Sequence, residues 1–178
     1  DLTTISTQTS GTVNATAATA INGTASTVAT ALADTEITHS STFDVTLTAG
    51  SVAATDLTAI DAATTKVVDG SAITTITGTA AAIAAAATLD AAPQTTNLGN
   101  FAATVGAGAV SAADLSTISG RTSGTVNATA ATAINGTASA VATALADTEI
   151  THSSTFAVTL TAGSVAATDL TAIDAATN

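Results

Sequence analysis

The stretch Phe43-Asp44-Val45-Thr46-Leu47-Thr48-Ala49-Gly50-Ser51-Val52-Ala53-Ala54-Thr55-Asp56-Leu57-Thr58-Ala59-Ile60-Asp61-Ala62-Ala63 reads as one strand, one glycine break and one helix. Phe43, Val45 and Leu47 alternate with Asp44, Thr46 and Thr48, the period-two pattern of a strand with one buried face. Gly50 interrupts that pattern and Ser51 is a candidate N-cap. Val52 to Ala63 then predicts a short helix with Leu57 and Ile60 three residues apart on one face. Asp56 falls in its early turns, where the helix dipole favours a negative charge.

The same order recurs along the chain. Residues Thr9 to Thr65 return as Thr122 to Asn178, shifted by 113 positions, with only Thr27→Ala140, Asp44→Ala157 and Thr65→Asn178 changed. Phe156-Ala157-Val158-Thr159-Leu160-Thr161 is thus a second copy of the strand, and Phe101, Ala103 and Val105 offer a divergent third. Copying of this kind marks a repeat array, in which each unit stacks on its neighbour.

A finer period lies inside the copy. Gly23, Gly50, Gly78, Gly108, Gly136 and Gly163 follow one another at steps of 27, 28, 30, 28 and 27 residues. Asp1-Leu2, Asp56-Leu57, Asp114-Leu115 and Asp169-Leu170 mark every second step. In the alternate segments Val13 to Ile21 mixes β-branched residues with Ala, Asn22-Gly23 makes a turn, and Thr24 caps a helix through Val28 and Leu32 to about Asp34. The middle unit replaces this with Lys66 to Ile76, then Gly78-Thr79 and an Ala-rich helix carrying Ile83 and Leu89. Pro93 ends that helix region, and the extra residues from Pro93 to Asn97 lengthen the step there.

The expected fold class is α/β: a repetitive right-handed solenoid with one strand and one short Ala-rich helix per coil of about 27–28 residues. It forms a single array over residues 1–178, with units 1–55, 56–113 and 114–168 and a partial unit 169–178. An all-β solenoid is the alternative. Parallel strands stack about 4.7 to 4.9 Å apart, whereas helices pack about 8 to 10 Å apart. Small Ala, Thr and Ser side chains bring the helices toward the lower limit and predict a straight rod. Both ends read as cuts through a longer array or as those of a processed protein.

Composition narrows the function classes. The net charge is −11, with thirteen acidic residues against Lys66 and Arg121 alone. Phosphate binding needs clustered Lys and Arg, so no nucleic-acid partner is expected, and anionic membrane surfaces are disfavoured for the same reason. No apolar run approaches the roughly 18 to 20 residues of a spanning helix. A mean hydropathy of +0.50 with 8% charged residues opposes disorder. The absence of Cys, together with almost no basic or aromatic residues, suits an abundant secreted bacterial protein.

No catalytic constellation is legible, and no enzyme activity or cofactor is expected. His39 and its copy His152 sit in Thr-His-Ser-Ser loops with no HExxH or paired-His spacing and read as turn residues. No GxSxG elbow, P-loop or GxGxxG is present. Asp34, Glu36, Asp147 and Glu149 are candidate oxygen ligands for Ca²⁺ between coils, although the DxDxDG loop and the nonapeptide repeat are both missing. Asn14-Ala15-Thr16 and Asn22-Gly23-Thr24 match the glycosylation pattern. Thr46 and Thr48 align with Thr159 and Thr161 only if the coils stack in register, and an ice-binding Thr grid is then interrupted by Ala and Gly.

Two segments, Ala54 to Thr64 and Ile73 to Ala80, give the chain a resemblance to the giant repetitive secreted and cell-surface proteins called β-strand repeat-containing proteins, of cyanobacteria and other aquatic bacteria. The resemblance spans essentially the whole chain. It implies an extracellular structural or adhesive protein with no active-site residues to carry over. The expectation is a filament, sheath or surface layer whose partners are copies of itself, with divalent cations as candidate bridges. An adhesin stalk or surface-binding module is the alternative.

Overall fold

The structure, a computed structural model, describes residues 2–89, 95, 96, 98 and 100–177. A short helix, α1 (Leu2–Thr7), precedes six modules, each of two or three strands followed by a helix. Module 1 comprises β1 (Val13–Ala15), β2 (Ala20–Gly23) and α2 (Ala25–Ala33). Module 2 comprises β3 (Ile37–His39), β4 (Asp44–Leu47), β5 (Gly50–Ala53) and α3 (Ala54–Ala63). Module 3 holds β6 (Val68–Asp69), β7 (Ile73–Gly78) and α4 (Ala80–Thr88). Module 4 holds β8 (Thr95–Thr96), β9 (Ala102–Val105), β10 (Gly108–Ser111) and α5 (Ala112–Ser119). Module 5 has β11 (Val126–Ala128), β12 (Ala131–Gly136) and α6 (Ala138–Ala146), and module 6 has β13 (Ile150–His152), β14 (Ala157–Leu160) and α7 (Ala167–Ala176). Mixed α/β structure is therefore present, and the helices exclude an all-β chain.

Strand pairing is parallel throughout the described ladders and always joins adjacent modules. The helices touch in chain order from α1 to α7. Among the described residues four sheets result: β1-β3, β2-β4-β6-β8, β5-β7-β9-β11-β13 and β10-β12-β14. Their inner faces and the helix row enclose one core. Phe43, Leu47, Leu57, Ile60, Ile76, Ile83, Phe101, Leu115, Ile118 and Ile134 are among its fully buried large side chains. In α4 the buried residues are Ala80, Ile83, Ala84, Ala86 and Ala87, all but one of them alanine, and the helix packs against both α3 and α5.

Two expectations change. Each module carries two or three strands, not one. The pairing step also differs from the glycine step: Val13 pairs with Ile37, Val45 with Val68 and Ile76 with Ala103, at intervals of 24, 23 and 27 residues. The glycines mislead because they hold two different places. Gly23, Gly78 and Gly136 end the strand before a Thr-capped helix, whereas Gly50 and Gly108 open an additional strand, β5 or β10. Gly108 needs its φ of 127°, which disfavours side-chain-bearing residues.

That additional strand also displaces the expected N-cap. Ser51 pairs with Thr75 and Val52 with Ile76, so both belong to β5, and α3 starts at Ala54 behind Ala53, which makes no side-chain cap bond. Cross-strand bonding holds Ser51 extended. Thr24, Thr79 and Thr137 do cap their helices, each accepting a bond of 3.2 Å from the backbone N–H three residues on. Thr79→Ala is expected to lower stability by about 1 kcal/mol, with Thr79→Ser close to neutral, measured by urea unfolding. Pro93 and most of Pro93 to Asn97 lie outside the described residues.

Candidate functional site

The two histidines make matching local contacts. His39 ends β3, and its Nδ1 lies 2.9 Å from the Ser40 carbonyl oxygen, to which it must donate because a carbonyl only accepts. Its ring meets Phe43 edge-on at 5.5 Å and 88°. His152 repeats the arrangement with Ser153 at 2.9 Å and Phe156 at 5.3 Å. Each imidazole thus pins the loop before its strand to a buried phenyl ring. They end strands β3 and β13, where turn residues were expected.

The acidic pairs shape loops and join modules. Asp34 Oδ1 accepts from the Glu36 N–H at 2.9 Å, and Asp147 Oδ1 accepts from Glu149 N–H at 2.9 Å, each a local turn closed by a carboxylate. Ser119, at the end of α5, donates its hydroxyl to Asp147 Oδ2 at 2.6 Å, with Glu149 Oε2 at 3.3 Å. This bond ties module 4 to module 5. Among the described residues no three His, Cys, Asp or Glu side chains gather in a group that could hold a metal ion. Asp69 is held below the ordinary carboxylate range by the Ser71 backbone N–H, 2.9 Å away, and by the Ser71 hydroxyl.

The Thr rows separate. Thr46 pairs with Asn22 and Asp69 in the sheet of β2, β4, β6 and β8, whereas its copy Thr159 pairs with Asn135 in the sheet of β10, β12 and β14. β10 is paired on one side only, with β12, so it begins a new sheet, and equivalent residues of the two copies end on different sheets. Thr48 and Thr161 lie just beyond their strands and donate backbone N–H to Gly23 and Gly136. Asn14 Oδ1 accepts from both the N–H and hydroxyl of Thr16, at 3.0 and 2.7 Å. Asn22 is exposed, while the buried Oδ1 of its copy Asn135 has no hydrogen-bond partner.

One set of polar side chains escaped the sequence reading. Thr64 and Thr122, both buried, follow α3 and α5 and donate their hydroxyls back to the carbonyls of Phe43 and Phe101. Each bond clamps the start of one module to the start of the strand in the module before. The available signal was a Thr placed 21 residues after a strand-opening Phe in both units.

The chain matches no protein-family model, no curated protein and no solved structure. Among the described residues no helix is long and apolar enough to cross a membrane. Apolar groups are accessible on the first and last modules. Module 1 carries an apolar groove of about 410 Å³, lined by Leu2, Ala18, Ala20, Ile21 and Val28 among others. Module 6 exposes Val165 and Leu170.

Proposed function

We propose that the chain is a structural protein: a right-handed, rod-like solenoid in which each module is one coil, built into an extracellular filament, sheath or surface layer by end-to-end stacking. The carrying observation is that neighbouring modules pair in parallel while two near-identical segments recur within one chain. Such an array multiplies one surface rather than building a single cleft. The side chains with catalytic potential, His39, His152, Asp147 and Glu149, hold loops and module junctions together, in keeping with a protein that is not an enzyme. The net charge of −11 keeps laterally adjacent rods apart, or lets divalent cations bridge them. Secretion by a bacterium follows from the composition and from the resemblance to β-strand repeat-containing proteins.

Electron microscopy of the native secreted material tests this reading. Six coils at the strand spacing give an axial rise of roughly 28–30 Å per chain, and a four-coil copy about 19 Å. Ordered filaments with either repeat are the expected result. Isolated short rods with no axial order would reject it in favour of an adhesin stalk or surface-binding module.

A further inference from the structure

Module 6 carries several key residues of module 4 at the same places, although Asp174 stands where module 4 has Ser119. Phe156, Ala157, Gly163, Val165, Ala167, Asp169, Leu170 and Ile173 stand where module 4 has Phe101, Ala102, Gly108, Val110, Ala112, Asp114, Leu115 and Ile118. Ala157 is one of the three differences between the copies, and it replaces the Asp44 of module 2 with the Ala102 of module 4. Modules 1 and 5 are likewise near-identical, differing between Thr12 and Asp34 only by Thr27 in place of Ala140.

The molecule contains the junction these two kinds of module make. Module 5 sits on module 4 through Ala103 paired with Val126, Val110 with Ile134 and Ser111 with Asn135, and α5 packs on α6. Ala112 rests against Gly136, with its methyl 3.4 Å from the position a Cβ would take there. Leu115, Ile118 and Ile134 are completely buried as a result.

The two end faces hold the separated halves of that junction. On module 6, Leu170 is 48% exposed and Val165 38%, and residues 163–166 form no strand. On module 1, Ala18, Ile21 and Val28 line the groove, and they correspond to Ala131, Ile134 and Val141 of module 5. The place that α5 takes against module 5 is filled on module 1 by α1, six residues long. Ile5 of α1 is 52% exposed, whereas its counterpart Ile118 is 0% exposed.

We propose that module 6 of one molecule docks on module 1 of a second copy, re-forming the strand and helix packing of the module 4–module 5 junction without its Ser119–Asp147 bond, and displacing α1. The inference rests on the structural reading above and names its contact. Residues 163–166 become a strand against β2, Val165 and Leu170 enter the groove, and α7 takes the position of α1. The two faces differ, so the contact is head-to-tail and propagates without closing. Exposed strand edges supply the main-chain bonds, and the alternating side chains set the register.

Sedimentation of the whole chain across a concentration series in high salt, which screens the charge of −11 on each copy, is the test. Wild type is expected to rise above 16.8 kDa with concentration. Leu170→Asp spoils one face and Ala18→Arg the other, and both sites are at least partly exposed in the single molecule, so folding survives, as circular dichroism checks. Each variant alone should stay at 16.8 kDa, and their equimolar mixture should stop at a dimer, because one intact pair of faces remains. Leu2→Asp, which loosens α1, should lower the concentration at which wild-type-like assembly begins; a rise would overturn the displacement of α1. A wild type that stays monomeric would overturn the proposal. Assembly that survives both face variants would overturn this contact alone, leaving the structural reading to the microscopy of native material.

Discussion

Leu57→Ala should lower the unfolding free energy by about 2–5 kcal/mol, and Leu170→Ala by less than about 1 kcal/mol. The two leucines occupy the same position in identical helix sequences, Ala54–Ala63 and Ala167–Ala176. Leu57 is 1% exposed, buried in the core beneath module 3, whereas Leu170 is 48% exposed on the outer face of module 6. Truncating the first removes apolar contacts and leaves a cavity that close-packed neighbours cannot fill. Truncating the second removes a side chain already about half in water. Urea unfolding followed by circular dichroism, at concentrations where the chain is monomeric, gives both values. Equal losses at the two sites would refute the packing of α3 between α2 and α4.

Gly124→Ala should destabilise by about 1–3 kcal/mol, while Gly11→Ala stays within about 0.5 kcal/mol of wild type. These glycines are also copies of one another. A Cβ at Gly124 would run into the backbone carbonyl oxygen of Phe101, whereas one at Gly11 would meet only the Thr9 hydroxyl at 3.6 Å. The obstruction is main chain, held by the Thr122 hydroxyl that bonds to the same carbonyl, so it cannot rotate away. A melting curve reads the difference, since 1 kcal/mol shifts the midpoint by roughly 2–4 °C in a domain of this size. A Gly124→Ala protein that melts with wild type would show that modules 4 and 5 do not approach as described.

Local patterns were legible where they depend on neighbours in the chain. The alternation of Phe43, Val45 and Leu47 against Asp44, Thr46 and Thr48 is the burial observed. Leu57 and Ile60 share the buried face of α3, and Thr24 caps α2. What misled was a marker with two structural meanings: Gly23 closes a strand, Gly50 opens one, and spacing alone cannot separate them. Ser51 resembles an N-cap until Thr75 pairs with it. The Thr64 and Thr122 clamps were hidden because each joins residues 21 apart whose proximity is created by stacking.

By itself the sequence determined the α/β class, the inward side of β4 and of α3, and the almost literal internal copy, because these follow from backbone periodicity and residue identity. Tertiary structure alone decided what each copy became. Gly-Ser-Val-Ala is strand β5 at residues 50–53, where β7 pairs with it, and forms no strand at 163–166. Thr64 reaches the Phe43 carbonyl, while its copy Thr177 turns back to Ile173 at 3.1 Å. Identical residues differ because burial and strand pairing are properties of two surfaces meeting, and a sequence specifies only one of them at a time.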